Sequence, residues 1–94
     1  MKKRKGLNVV DLQGEYMVQK TAQLYDTIIF LETDDTIKLN SGGFRTNHTK
    51  NCINDLLPSG FKVYQRDFTW YVVTPCSELS FTDNMVLDLK EYEV

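Results

Sequence analysis

Long apolar runs are missing from this 94-residue chain: the longest, such as Ile28-Ile29-Phe30-Leu31, have four residues. A membrane-crossing helix needs about 20, so no membrane partner is expected. Cysteine is scarce as well. Cys52 and Cys76 are the only two, too few for a disulfide framework and spaced unlike a zinc ribbon or a redox Cys-x-x-Cys pair. Reduced thiols follow. His48 is the sole histidine, which leaves a zinc site short of donors, so neither metal nor cofactor is expected. The phosphate-binding patterns Gly-x-x-x-x-Gly-Lys-[Ser/Thr] and Gly-x-Gly-x-x-Gly are absent, as are RNA-recognition, helix-turn-helix and zinc-finger signatures. Internal repeats, low-complexity tracts and linkers are absent too. The basic start Met1-Lys2-Lys3-Arg4-Lys5 resembles the head of an export signal, but Asn8, Asp11, Gln13 and Glu15 interrupt the apolar stretch that should follow. A cytoplasmic protein is expected, and the glycosylation sequon Asn47-His48-Thr49 is read as chance.

What is present is an ordinary globular composition, 41% hydrophobic and 26% charged, in a length that makes one domain with a core of its own. The net charge of -2 conceals a segregation. From Thr36 to Arg66 the chain carries Lys38, Arg45, Lys50, Lys62 and Arg66 against Asp55 alone, while residues 67–94 carry six acids against Lys90. Such asymmetry marks an anion-binding surface, or an acidic tail that covers its own basic face. Residues 1–6 are expected to be a flexible basic arm, with a single domain over 7–94.

Periodicity supplies the architecture. Glu15 to Lys20 alternates weakly, like an edge strand, and Gln23 to Glu32 is rich enough in β-branched and aromatic residues to be one central strand. Thr33-Asp34-Asp35-Thr36 makes a hairpin tip, its acids explained by turn chemistry, before Ile37 and Leu39 alternate with Lys38 and Asn40. Then the period changes. Thr49, Cys52, Ile53, Leu56 and Leu57 fall on one face of a helix capped by Thr46 or Asn47 and stopped by Pro58-Ser59-Gly60. Phe61 to Arg66 and Thr69 to Thr74 form the clearest hairpin, with Phe61, Val63, Trp70 and Val72 assigned to the core. Leu79 to Phe81 and Met85 to Leu89 complete the strands. The expected fold is α+β, an antiparallel β-sheet of about five to six strands with one α-helix packed on a face.

The candidate site is the joint between the second hairpin strand and the helix. Gly42 and Gly43 permit backbone angles that other residues avoid, and the helix start behind them offers free N–H groups to an anion. Arg45, Thr46, Asn47, His48 and Lys50 complete an anion- or partner-binding set, with Lys38, Lys62 and Arg66 as a secondary basic surface. Lys50 opposes the helix dipole, which points to an external anion or to a neighbouring carboxylate. Nucleic acid or nucleotide would use the same surface, with Tyr64 or Trp70 as stacking platforms. His48 and Cys52 stand one helical turn apart, but on the polar and apolar faces respectively, so a solvated imidazole and an inert thiol are expected rather than a catalytic pair.

The run from Thr36 to Thr46, followed by Thr49-Lys50, Ile53-Asn54, Gly60 to Gln65 and Trp70-Tyr71-Val72, resembles a family of small uncharacterised proteins of tailed bacteriophages. The likeness spans about residues 27 to 89, and the family typically carries tryptophan where this chain has Phe44. The resemblance implies a non-enzymatic phage accessory protein that binds and modulates a host macromolecule, a host protein first. The alternatives are direct nucleic-acid or nucleotide binding and a minor virion component.

Overall fold

The computed structural model describes residues 4–11 and 18–92. Among them, eight strands and one helix run in the order β1 (Leu7–Asp11), β2 (Val18–Leu24), β3 (Thr27–Thr33), β4 (Thr36–Leu39), α1 (Asn47–Leu56), β5 (Lys62–Arg66), β6 (Thr69–Val73), β7 (Glu78–Ser80) and β8 (Met85–Asp88). A short 3-10 turn, Leu89–Tyr92, ends the described chain. The α+β class holds. The strands, however, divide into two antiparallel sheets, a five-stranded one ordered β1-β2-β3-β4-β8 and a three-stranded one ordered β5-β6-β7. The chain leaves the first sheet after β4, builds the helix and the second sheet, and returns as β8 to pair with β4, Thr36 opposite Asp88 and Leu39 opposite Met85.

Two boundaries differ from the sequence reading. The stretch Gln23 to Glu32 is not one strand, because the chain reverses at Tyr25-Asp26, with Tyr25 at φ +53°. Tyrosine carries no turn signal, so only the pairing of Leu24 with Thr27 exposes the reversal. Of the edge strand read over Glu15 to Lys20, residues 15 to 17 lie outside the described part, and the strand runs from Val18 inside the sheet, between β1 and β3. At the next hairpin the tip is Asp34-Asp35 as expected. The Thr33 hydroxyl accepts from the Asp35 and Thr36 amides there at 3.4 and 3.0 Å.

A bulge lets β3 bury two successive side chains. Ala22 faces Phe30 and Gln23 faces Ile28, so Ile29 is the extra residue, and it turns inward beside Phe30. The same core takes Ile37, Leu39 and Leu87 from the first sheet, Cys52 and Ile53 from the helix, and Val63, Trp70, Val72 and Phe81 from the second sheet and its exit. The helix packs against β5 and β3 and so bridges the sheets. Thr46 caps it, its hydroxyl accepting from the Thr49 amide at 3.2 Å, and Thr49, Cys52 and Ile53 form its buried face, as the 3.6-residue period predicts.

Asn54 fastens α1 to the edge of the second sheet. Its side-chain amide donates to the Val63 carbonyl at 2.9 Å and its carbonyl accepts from the Val63 amide at 2.7 Å, the two bonds a neighbouring strand would supply. Asn54→Ala is expected to cost about 1–3 kcal/mol, because both backbone groups lose a partner. Unchanged urea midpoints would contradict this role.

Candidate functional site

The glycine joint has the geometry its sequence suggests. Gly42 and Gly43 take φ +65° and +83°, in the left-handed region, and a Cβ on Gly42 would stand 2.7 Å from the Thr27 side chain. Both amides are engaged inside the loop: Gly42 donates to Asn40 Oδ1 at 3.1 Å and Gly43 to Ser41 Oγ at 3.2 Å. The anion at this joint belongs to the chain itself. Asp83, in the turn before β8, accepts from the Ser41 amide at 2.9 Å and the Ser41 hydroxyl at 2.6 Å, and Arg45 approaches the same oxygen at 3.7 Å. Burial works against the charged form, but the Ser41 hydroxyl and amide, the Arg45 charge and the Gly43 amide outweigh it and hold Asp83 below the usual carboxylate range.

Arg45 is held further by its own neighbours. Its Nε donates to Ser41 Oγ at 3.0 Å, and its guanidinium lies 4.9 Å from the Phe81 ring centre and 5.5 Å from that of Trp70. A charge reversal there would set a carboxylate against Asp83, so Arg45 cannot report on binding separately from folding. Lys50 donates to Asn47 Oδ1 at 3.2 Å across the first helical turn. Lys38 sits exposed on β4 and Lys62 and Arg66 on β5, so the secondary basic residues belong to different sheets. Arg66 stacks on Tyr71, 5.0 Å from the ring centre, and faces Glu78 at 3.8 Å; Tyr64 stacks on Tyr71 and donates to Glu78. Trp70, one of the expected stacking platforms, is in the core and 2% exposed.

In the described part of the basic run, two residues make contacts with the helix. Arg4 pairs with Asp55 at 2.6 Å, and the Lys5 carbonyl lies 2.7 Å from His48 Nε2. Residues 1–3 are outside the described part. A carbonyl so close requires Nε2 to carry the proton. Although Cys52 Sγ is 3.9 Å from the same nitrogen, Nε2 has no lone pair to take the thiol proton, and burial pushes the Cys52 thiol up. This geometry does not make a base–nucleophile pair.

The loop also lines a cavity, to which Ser41, the residue bonded to Asp83, contributes. Between the Tyr25-Asp26 turn and the start of α1 lies a cleft of about 390 Å3, with Leu24, Ile29, Tyr25 and Phe44 as its apolar surface and Asp26, Thr46 and His48 on its polar part. Thr46 and His48 come from the sequence-derived set; Tyr25, Asp26 and Phe44 were not in it. Phe44 is 66% exposed and Tyr25 59%, large apolar groups left in water beside a concave surface. The available signal was an aromatic residue directly after two glycines, where the backbone turns outward.

No helix among the described residues is long and apolar enough to cross a membrane. Neither the curated proteins nor the solved structures hold a match to the chain. The family likeness reaches further toward the N-terminus than residues 27 to 89, taking in β1, β2 and the last residue of the basic run, Lys5. A family model described as Kyanoviridae Gp96 protein matches residues 5–88, and the chain accordingly belongs to that bacteriophage family.

Proposed function

We propose that this phage protein is a non-enzymatic accessory factor that acts in the host cytoplasm by binding a host protein through the cleft between Tyr25 and Phe44. The observation that carries the reading is the exposure of those two aromatic rings around an apolar cleft, the arrangement of a socket that receives a partner's side chain. The engaged His48 Nε2 and the buried Cys52 thiol favour binding over catalysis. Nucleic-acid or nucleotide binding at the glycine joint has less support, because Gly42, Gly43 and Arg45 already bond within the chain.

The test is affinity purification from infected cells with wild type and Phe44→Glu, half of each sample treated with nuclease. Phe44→Glu should reduce recovery of the host protein by about tenfold or more, with nuclease making no difference. Equal recovery would overturn the cleft reading. Loss of the partner on nuclease treatment, with binding that falls steeply as salt rises, would transfer the assignment to nucleic acid.

A further inference from the structure

The tip of the β5–β6 hairpin is built against its own stability. Arg66 pairs with Thr69, so the loop has two residues, and both Asp67 (φ +51°) and Phe68 (φ +64°) occupy the left-handed region. That turn favours Asn-Gly, and a bulky aromatic residue is an outlier in such a conformation. Phe68 is also 96% exposed, so its ring packs on almost nothing in its own chain. The turn closes the hairpin, but a strained backbone carrying a presented phenyl ring is an outlier that points to a contact beyond the fold.

The same chain carries a receptor for it. The Tyr25–Phe44 cleft has an apolar surface and about 390 Å3 of space, within the range of about 300–1,000 Å3 typical of pockets that enclose a ligand group. Its edge is polar in two directions. The first turn of α1 holds no acidic residue, so the positive end of the helix at Thr46 and His48 is uncompensated there, while Asp26 adds a negative charge on the other part. The hairpin tip carries the charge that suits the helix end, with exposed Asp67 directly before Phe68, whereas Arg66 is held by Tyr71 and Glu78 of its own sheet. With Phe68 in the apolar part, Asp67 stands next to the ring that enters and suits the helix end.

We propose that the Asp67-Phe68 tip of one copy docks in the Tyr25–Phe44 cleft of a second copy, a head-to-tail contact. Each copy then retains an unused tip or cleft, so association proceeds to rings or open chains rather than stopping at a symmetric pair. The proposal rests on the cleft being a docking site. It adds that self-association and host-protein binding exclude one another.

Sedimentation equilibrium of the purified protein, from about 10 µM to about 1 mM and with reductant because Cys76 is exposed, tests it. Wild type should rise above monomer mass with concentration. Phe68→Gly, which suits the turn, should melt higher than wild type yet remain monomeric, and Phe44→Glu should remain monomeric too. Mixing the two variants should restore a 1:1 dimer and nothing larger, since one supplies an intact cleft and the other an intact tip. A monomeric wild type, association unaffected by Phe68→Gly, or a mixture that stays monomeric would each overturn the proposal. If wild type is monomeric and Phe68→Gly loses the host protein, the tip belongs to that partner instead. Host capture is not part of the sedimentation arm, so a failure there leaves the reading of the cleft as a host site to its own test.

Discussion

Asp83→Ala is expected to lower stability by about 2–3 kcal/mol, because it leaves the Ser41 amide and hydroxyl and the Arg45 guanidinium facing no carboxylate. For a domain of this length that is a fall in Tm of about 4–8 °C per kcal/mol. The effect should depend on pH in a definite direction. The folded protein holds the Asp83 carboxyl below its ordinary value, so the unfolded chain binds its proton first as the pH falls. Its contribution is therefore complete above about pH 4 and is lost as the pH drops through the lower folded value. Asp55 titrates with the same sign, its carboxyl lowered by the hydrogen bond from Arg4. Urea titrations of wild type and Asp83→Ala at neutral pH and at successively lower pH should converge. A gap that stays constant, or that widens in acid, would show that Asp83 does not carry this charge-dependent tie between the glycine joint and the turn before β8.

Trp70→Ala should be more damaging, at about 3–5 kcal/mol, a large share of the roughly 5–15 kcal/mol by which a domain is stable. Trp70 joins the second sheet to the common core. It makes an edge-to-face contact with Phe81 at 5.3 Å, and it lies beneath the Arg45 guanidinium that reaches toward Asp83. Its indole nitrogen is buried without a hydrogen-bond partner among the described residues. Trp70→Phe should accordingly cost less than half as much as Trp70→Ala, since it keeps a ring against Phe81 and removes the unpaired N–H. Circular dichroism is the appropriate readout, because both variants delete the protein's only tryptophan. Equal losses for the two variants would mean that a phenyl ring recovers none of the packing that the indole makes against Phe81.

The two substitutions meet at one structural point. Arg45 stands between the Asp83 carboxylate and the rings of Trp70 and Phe81, so the turn before β8, the glycine joint and the second sheet share a single side chain. Stability effects at Asp83 and Trp70 are therefore expected to be coupled rather than additive. The joint is a fastening for the return of β8 before it is a binding surface. The cleft proposed as a docking site shares Ser41 with this fastening.

By itself the sequence determined the elements whose causes are local. The helix over Asn47–Leu56 follows from a threonine cap, a 3.6-residue apolar period and a proline stop, and the β5–β6 hairpin from two alternating segments around a short polar break. The left-handed angles of Gly42 and Gly43 were legible for the same reason, since they depend on residue type more than on surroundings. Family membership was legible from the quoted run of residues. Only the tertiary structure decided that β8 returns to β4, that the strands divide into two sheets, that Arg45 is held by Asp83, and that Phe44 and Tyr25 border one cleft. Each of those joins residues far apart in the chain, and neither periodicity nor turn chemistry carries information about which distant segment a strand edge or a charge will meet. The basic centre and acidic tail signalled that a pairing of opposite charges was available. Burial of the common core and the register of β4 with β8 selected Asp83 as the carboxylate that makes it.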